Sequence, residues 1–117
     1  MSDLIDRYLA CWNETDAETR RVLLAEHWTP DATYVDPMIE IGGLAALDAT
    51  IAAVQAQFAG FVFSPAGPVD AHHDIARFSW GLAPAGAEPV VIGFDVVVTA
   101  ADGRIRSVFG FLDRVPG

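Results

Sequence analysis

The stretch VVIGFDVVVT, residues 90–99, decides the fold. Its β-branched and aromatic residues predict a long strand. Alternation along this strand gives one face that is wholly apolar, made of Ile92, Phe94, Val96 and Val98. An Asp-Gly hairpin signal follows at positions 102–103, so residues 104–115 are predicted to return as the last strand.

Upstream of this hairpin, the apolar residues again recur with the period of two that predicts strands. Residues 75–82 form one predicted strand, and residues 83–89, which contain two prolines, form the loop after it. Residues 61–63 and 69–72 are interpreted as another strand, broken by prolines between them. A short strand is also predicted at residues 33–35.

The N-terminal half shows helical spacing instead. A first predicted helix carries an apolar stripe at intervals of three and four, made of Leu4, Ile5, Tyr8, Leu9 and Trp12. A capping box at Thr15 and Glu18 predicts the start of a second helix, which we expect to end at Thr29-Pro30. A third predicted helix follows a Gly-Gly pair and is capped at its C-terminus by Gly60.

Helices followed by a run of hairpin-connected strands are typical of the α+β class. We therefore expect residues 1–117 to form one domain, in which three helices gather on one face of an antiparallel sheet.

The composition excludes several classes of function. Sixteen acids against seven bases give a net charge of −9, which argues against nucleic acid or an anionic membrane as partner, because both bind basic surfaces. All seven bases are arginine, so no lysine is present to form a Schiff base, and the single Cys11 excludes an internal disulfide. Nucleotide-binding and serine-hydrolase motifs are missing, so we expect no cofactor.

With neither a basic-apolar leader nor an apolar run of bilayer length, we expect a cytoplasmic location.

Asp95 is the most anomalous residue, because it interrupts the long apolar strand. The face that it shares with Val91 and Val97 is too apolar for a solvated surface, yet an unpaired buried carboxylate is costly. A carboxyl group that lines a cavity fits a face on which valines and an acid alternate. The alternative is an acid that points to solvent beside exposed valines. Since no lysine can pair with Asp95, we expect burial to raise its pKa unless Arg77 reaches it.

Asp36 and Tyr8 are the other candidate functional residues. Pro37 holds Asp36 extended and supplies no backbone N–H to its carboxylate. A carboxylate with few backbone donors, near Tyr34 and Met38, would serve as a general base, whereas ordinary turn chemistry is the alternative. Tyr8 lies on the apolar stripe, where its hydroxyl needs either a partner in a site or a backbone carbonyl.

A His-His-Asp run at His72, His73 and Asp74 suggests metal or triad chemistry. Adjacent strand residues point to opposite faces, however, and no third His or Cys stands at a ligand spacing. We interpret the run as a hairpin turn and expect no metal site.

Several segments, in their order and spacing, resemble the SnoaL-like and ketosteroid-isomerase-like members of the nuclear-transport-factor-two-like superfamily. These segments are residues 6–10, 13–16, 31–37, 76–80 and 102–105. The resemblance implies a cone-shaped, curved antiparallel sheet that wraps around three N-terminal helices and encloses a hydrophobic cavity.

The resemblance also implies roles for the candidate residues. It assigns the general base to Asp36 and the oxyanion hole to Tyr8 and a protonated Asp95, as in ketosteroid isomerase itself. It therefore implies a cofactor-independent isomerase or cyclase that uses acid–base chemistry next to the carbonyl of an apolar small molecule. The chain departs from the steroid enzyme in a longer segment between Tyr8 and Asp36, attributed to residues 26–29 extending the second helix, so a steroid substrate is not implied.

The remaining candidates for the cavity wall are large side chains, namely Trp12, Trp28, Tyr34, Met38, Phe58, Arg77 and Trp80. A non-catalytic protein that holds a small hydrophobic ligand in the same cone is the alternative function, and association through the sheet is a third. The apolar outer face predicts a homodimer packed through the sheet.

Overall fold

A computed structural model describes residues 2–116, and within them three helices pack on a seven-stranded sheet. The helices are α1 Ser2–Asn13, α2 Ala17–His27 and α3 Leu44–Gln57. The strands are β1 Trp28–Val35, β2 Glu40–Gly42, β3 Phe61–Pro65, β4 Asp70–His72, β5 Ile75–Pro84, β6 Val91–Thr99 and β7 Ile105–Arg114. The predicted α+β class, with its N-terminal helices and curved sheet, is confirmed. None of the helices in residues 2–116 is long and apolar enough to cross a bilayer.

The second helix differs from its prediction at both ends. Asp16 caps it rather than Thr15, because the Asp16 carboxylate accepts the backbone N–H of Thr19 at 2.9 Å and its hydroxyl at 2.7 Å. The helix ends at His27, so the expectation that residues 26–29 extend it holds for Glu26 and His27 and is wrong for Trp28 and Thr29. Trp28 is already extended and begins β1, because its indole is fully buried in the core.

The third helix also ends earlier than predicted. Phe58 is its C-cap, with its backbone N–H bonded to the Val54 carbonyl. Gly60, predicted as the cap, lies instead in the turn before β3, where its φ of 82° suits glycine.

The strand order in the sheet is β2-β1-β7-β6-β5-β3, and β4 pairs with β5 beside this path. All pairs are antiparallel except β1 with β7, which is parallel, so the expectation of a purely antiparallel sheet is wrong at this pair. These two strands lie far apart in the chain, and no hairpin constrains their relative direction. Because β7 lies between β1 and β6, it separates the strands that lead to Asp36 and hold Asp95.

Strand β6 alternates as its sequence predicts. Val91, Gly93, Asp95 and Val97 are buried, whereas the residues between them are only half-buried on the outer face. The inner face packs with α1 and the buried Trp28 in one core.

A buried arginine ties the helices to one another. Arg20 of α2 is only 3% exposed, and its Nε donates to Asp48 Oδ1 of α3 at 2.6 Å. Its Nη1 donates to the Glu14 carbonyl and to Gln55 Oε1, at 2.9 and 3.0 Å. This network fixes α3 against the turn between α1 and α2, and thus fixes one wall of the cavity described below.

Candidate active site

A cavity of about 380 Å³ opens between α1, α3 and the inner face of the sheet. Most of its wall is apolar, and carboxyl and tyrosine hydroxyl groups form its polar part. Eight of the residues predicted from the sequence line it, namely Tyr8, Trp12, Tyr34, Asp36, Met38, Phe58, Trp80 and Asp95.

Tyr8 and Asp95 form a buried pair at the inner end of the site. The Tyr8 hydroxyl donates to Asp95 Oδ2 at 2.6 Å, and each residue is 2% exposed. The α1 stripe directs Tyr8 toward the sheet, where its ring packs against Phe78 at 5.5 Å and Trp28 at 5.9 Å between ring centroids. Trp28 therefore supports Tyr8 from behind and does not line the cavity, which corrects its predicted place in the wall.

The surroundings of Asp95 favour its protonated form. Burial raises the pKa of Asp95 to about 6, against the lowering effect of hydrogen bonds from the Tyr8 hydroxyl and the Trp80 indole, and the negative charge of Asp36 adds to the rise. Burial and the neighbouring Asp95 charge also raise the pKa of Tyr8 well above its ordinary value, so its hydroxyl stays a donor. The upward direction expected for the pKa of Asp95 is thus confirmed, whereas the expectation that Asp95 is protonated does not hold at pH 7, because a pKa of about 6 leaves the carboxyl group mostly ionised there.

Arg77 does not reach Asp95. Because Ala76 and Phe78 point into the core, alternation turns Arg77 to the outer face, where its Nη2 lies 3.1 Å from the Asp70 carboxylate. Its side chain is 63% exposed, so the prediction that Arg77 lines the cavity is wrong.

Asp36 lies at the end of β1 with more hydrogen-bond donors than its sequence suggests. Its Oδ2 accepts the Tyr34 hydroxyl at 2.7 Å, and its Oδ1 accepts the backbone N–H groups of Met38 and Ile39 at 2.8 and 3.1 Å. The expectation of few backbone donors is therefore wrong, because the chain turns back after Pro37 and brings the next two N–H groups to the carboxylate. The Tyr34 hydroxyl is held as a donor, since burial raises the pKa of Tyr34 far above its ordinary value.

Two indoles complete the polar part of the wall. Trp80 lies over Gly93 on the neighbouring strand, where a Cβ would collide with its ring, and this places its indole beside Asp95. Trp12 is buried, and its Nε1 has no hydrogen-bond partner among residues 2–116.

Sequence reasoning missed the rest of the lining, which is Leu9, Val54, Gln57, Phe63, Leu82, Val91, Gly110, Phe111, Leu112, Val115 and Pro116. Alternation from the buried Val108 identifies the inward positions Gly110 and Leu112, and the α1 stripe contains Leu9. The sequence gives no comparable signal for Val115 and Pro116, which follow the end of β7.

The His72-His73 pair lies away from this cavity, where His72 ends β4 and His73 lies in the expected turn before β5. His73 leaves the strand with a φ of 53°, so the two side chains do not diverge as they would on a continuous strand. Their Nδ1 atoms are 3.2 Å apart.

Many solved structures resemble this chain, including the following three. A candidate isomerase of the SnoaL-like family from Agrobacterium tumefaciens is 40% identical, with a TM-score of 0.89 and 95% of each chain covered. A candidate polyketide cyclase from Sinorhizobium meliloti is 21% identical, with a TM-score of 0.71 and coverage of 92% of this chain and 93% of that one. A protein with a cystatin-like fold from Silicibacter pomeroyi is 14% identical, with a TM-score of 0.65 and coverage of 93% and 72%.

Among curated proteins, none matches this sequence. The sequence pattern that defines the SnoaL-like domain matches residues 5–108, which is most of the chain. Together with the 40% identity over nearly the whole length of the Agrobacterium protein, this match shows that the chain belongs to the SnoaL-like family.

Proposed function

We propose that this protein is a cofactor-independent isomerase or cyclase that moves a proton next to the carbonyl of an apolar small molecule. The observation that carries the proposal is the presence of two carboxyl–tyrosine pairs, Asp95 with Tyr8 and Asp36 with Tyr34, on one otherwise apolar cavity. A binding site for an apolar ligand needs no such pairs, whereas proton transfer at carbon needs both a base and a donor for the developing oxyanion.

The two pairs suit different roles in this proposal. Asp36 takes the proton, since it is partly exposed at the end of β1. The Tyr8 hydroxyl turns its proton from Asp95 Oδ2 to the oxygen of the ligand, and protonated Asp95 donates to the same oxygen. A developing negative charge there further favours the protonated form of Asp95. The identity with the candidate isomerase from Agrobacterium tumefaciens supports the reaction class.

A non-catalytic carrier of a small hydrophobic ligand is the second candidate. It is favoured by the three donors on Asp36, because both oxygens of this carboxylate are already engaged by groups of the protein itself. The carrier would use the same cavity and the same apolar wall.

Hydrogen–deuterium exchange separates the two candidates. We would incubate the protein in D₂O with 2-tetralone, an apolar ketone with acidic α-hydrogens, and follow deuterium at the α-carbons by NMR. The proposal predicts exchange faster than without protein, and a loss of about 100-fold or more of that rate in Asp36→Asn. Asp31→Asn, which changes an exposed acid on β1, is the matched control and should exchange like the unmodified protein. Binding of 2-tetralone without exchange would favour the carrier instead.

A further inference from the structure

Gly110 occupies the place in the sheet where the two acids meet. It pairs with Asp95 across β6 and β7, and its neighbour Phe109 pairs with Val35, which directly precedes Asp36. Gly110 is buried and belongs to the cavity wall. It is therefore the residue of the middle strand that lies between both carboxyl groups.

No side chain fits at this position without moving one of the acids. A Cβ on Gly110 would lie 2.9 Å from Asp95 Oδ1, 3.4 Å from Asp36 Cβ and 3.5 Å from the Val35 carbonyl oxygen. The closest of these contacts is to the Asp95 oxygen that does not bind Tyr8, since the Tyr8 hydroxyl donates to Oδ2. The missing side chain thus leaves room for Oδ1 of Asp95.

The other glycine beside Asp95 is used differently. At Gly93, two residues earlier on β6, the space of the missing side chain is filled by the indole of Trp80. At Gly110 that space is bordered by Asp95 Oδ1 and by Asp36, and Gly110 belongs to the cavity wall.

We propose that Gly110 is a positioning residue, whose missing side chain lets Asp95 Oδ1 lean across β7 toward Asp36, so that Asp95 reaches the oxygen of the ligand beside the carbon from which Asp36 takes the proton. This inference rests on the proposed function and specifies where the oxygen of the ligand lies, which is over Gly110. A methyl group at this position pushes Oδ1 aside and occupies the place of that oxygen.

A pair of probes that differ by one oxygen tests the inference. 2-Naphthol and naphthalene share an apolar frame, and only the naphthol carries a hydroxyl. We expect the unmodified protein to bind 2-naphthol more tightly than naphthalene. Gly110→Ala should lower the affinity for 2-naphthol by about tenfold and change the affinity for naphthalene by less than about twofold. Gly42→Ala is the control, because its new Cβ meets only Thr33 Cγ2, at an ordinary 4.0 Å.

The binding results distinguish this inference from the function on which it rests. An equal loss of affinity for both probes in Gly110→Ala would mean that the methyl group only reduces the cavity volume. No loss of affinity for either probe would mean that a side chain at position 110 does not affect binding. Both outcomes overturn the inference. Equal affinity of the unmodified protein for both probes would count against the proposed function instead. The role of Gly110 would then be tested by titrating Asp95.

Carboxyl-carbon NMR of Asp95 provides that titration. The titratable groups that face Asp95 are Tyr8 from α1 and Tyr34 and Asp36 from β1 and its end. An added methyl group against Oδ1 increases desolvation and weakens the Tyr8 hydrogen bond, so we expect Gly110→Ala to raise the pKa of Asp95 above its value in the unmodified protein. An unchanged pKa would overturn the inference.

A double variant covers the case in which Gly110→Ala does not fold. Removing the carboxyl group in Asp95→Ala/Gly110→Ala removes the 2.9 Å contact, so the double variant should fold again and its melting temperature should approach that of Asp95→Ala. Failure of the double variant to recover would place the conflict elsewhere and contradict the role of Gly110.

Discussion

Asp95 and Asp36 carry the same functional group in different surroundings. Asp95 is buried and accepts the Tyr8 hydroxyl, whereas Asp36 lies at the end of a strand and accepts one hydroxyl and two backbone N–H groups. Burial favours the neutral form of a carboxyl group, and hydrogen-bond donors favour the ionised form. The two acids of the cavity therefore differ in burial and in hydrogen-bond partners, and the proposed function assigns them different roles.

The pH dependence of stability tests the environment of Asp95. Because its pKa in the folded protein, about 6, lies above the ordinary 3.8, the protonated group stabilises the fold below about pH 4, and this contribution is lost as the pH rises through 6. Between pH 4 and pH 7.5 we expect the free energy of unfolding to fall relative to Asp95→Asn by up to about 3 kcal/mol. Urea unfolding at several pH values measures this difference.

The control for this titration is Asp31→Asn, since Asp31 is exposed. Its stability should follow that of the unmodified protein across the range. If the free energy of unfolding of Asp95→Asn also follows that of the unmodified protein across this pH range, the Asp95 carboxyl group is not desolvated. Its proposed role as a donor would then be contradicted.

At the scale of elements, the cavity depends on how α3 is held against the first two helices. Arg20 makes this connection through Asp48, Gln55 and the Glu14 carbonyl, and it does so while almost completely buried. Removing a buried arginine leaves its partners uncompensated, so substitution of Arg20 is expected to lower the stability of the fold.

Arg20→Ala should therefore lower the free energy of unfolding by about 3 kcal/mol or more. Arg21→Ala is the matched control, because Arg21 lies next in the chain, is 60% exposed and approaches the same Asp48 only to 3.9 Å. We expect this control to change stability by less than about 0.5 kcal/mol. Equal effects of the two variants in urea unfolding would contradict a structural role for the buried network.

The elements that the sequence predicts best are those with a strong period. The apolar alternation of β6 identifies the face that holds Asp95, and the α1 stripe contains Tyr8. Strand β2 escapes prediction because it has three residues and no buried side chain. The donors on Asp36 are missed because they come from a turn, and a local sequence pattern does not show where turn N–H groups point.

Two errors in the predicted cavity wall have different causes. The prediction for Arg77 is wrong because it follows from the charge of this residue in an apolar strand. Alternation with Ala76 and Phe78 identifies its outward direction instead. Trp28 is placed wrongly because a buried tryptophan beside a site and one inside it have the same sequence signature, and only the packing against Tyr8 separates them.

At the scale of the whole molecule, the helices cover one face of the sheet and leave the other apolar. The outer residues of β6 pair across the sheet with those of β7, as Phe94 with Phe111 and Val96 with Phe109. Phe109 and Phe111 are 44% and 57% exposed. A contiguous apolar face of this kind is unusual in a monomer and is typical of an interface.

We predict a homodimer that packs through this face. Sedimentation equilibrium at about 50 μM should give twice the chain mass, because a standard-size interface holds at this concentration. Phe109→Lys should give a monomer, whereas Val22→Lys, which charges an exposed apolar position on α2, should leave the dimer intact. A monomeric unmodified protein at this concentration would contradict the prediction.

The central claim is that Asp36 moves a proton next to a carbonyl whose oxygen accepts hydrogen bonds from Asp95 and Tyr8. Its most direct test is the rate of deuterium incorporation at the α-carbons of 2-tetralone, measured with the unmodified protein between pH 4 and pH 8. We predict protein-dependent exchange that declines as the pH rises through about 6, since Asp95 must be protonated to donate to the developing oxyanion. Exchange no faster than in buffer at every pH, with 2-tetralone bound in the cavity, would contradict the claim.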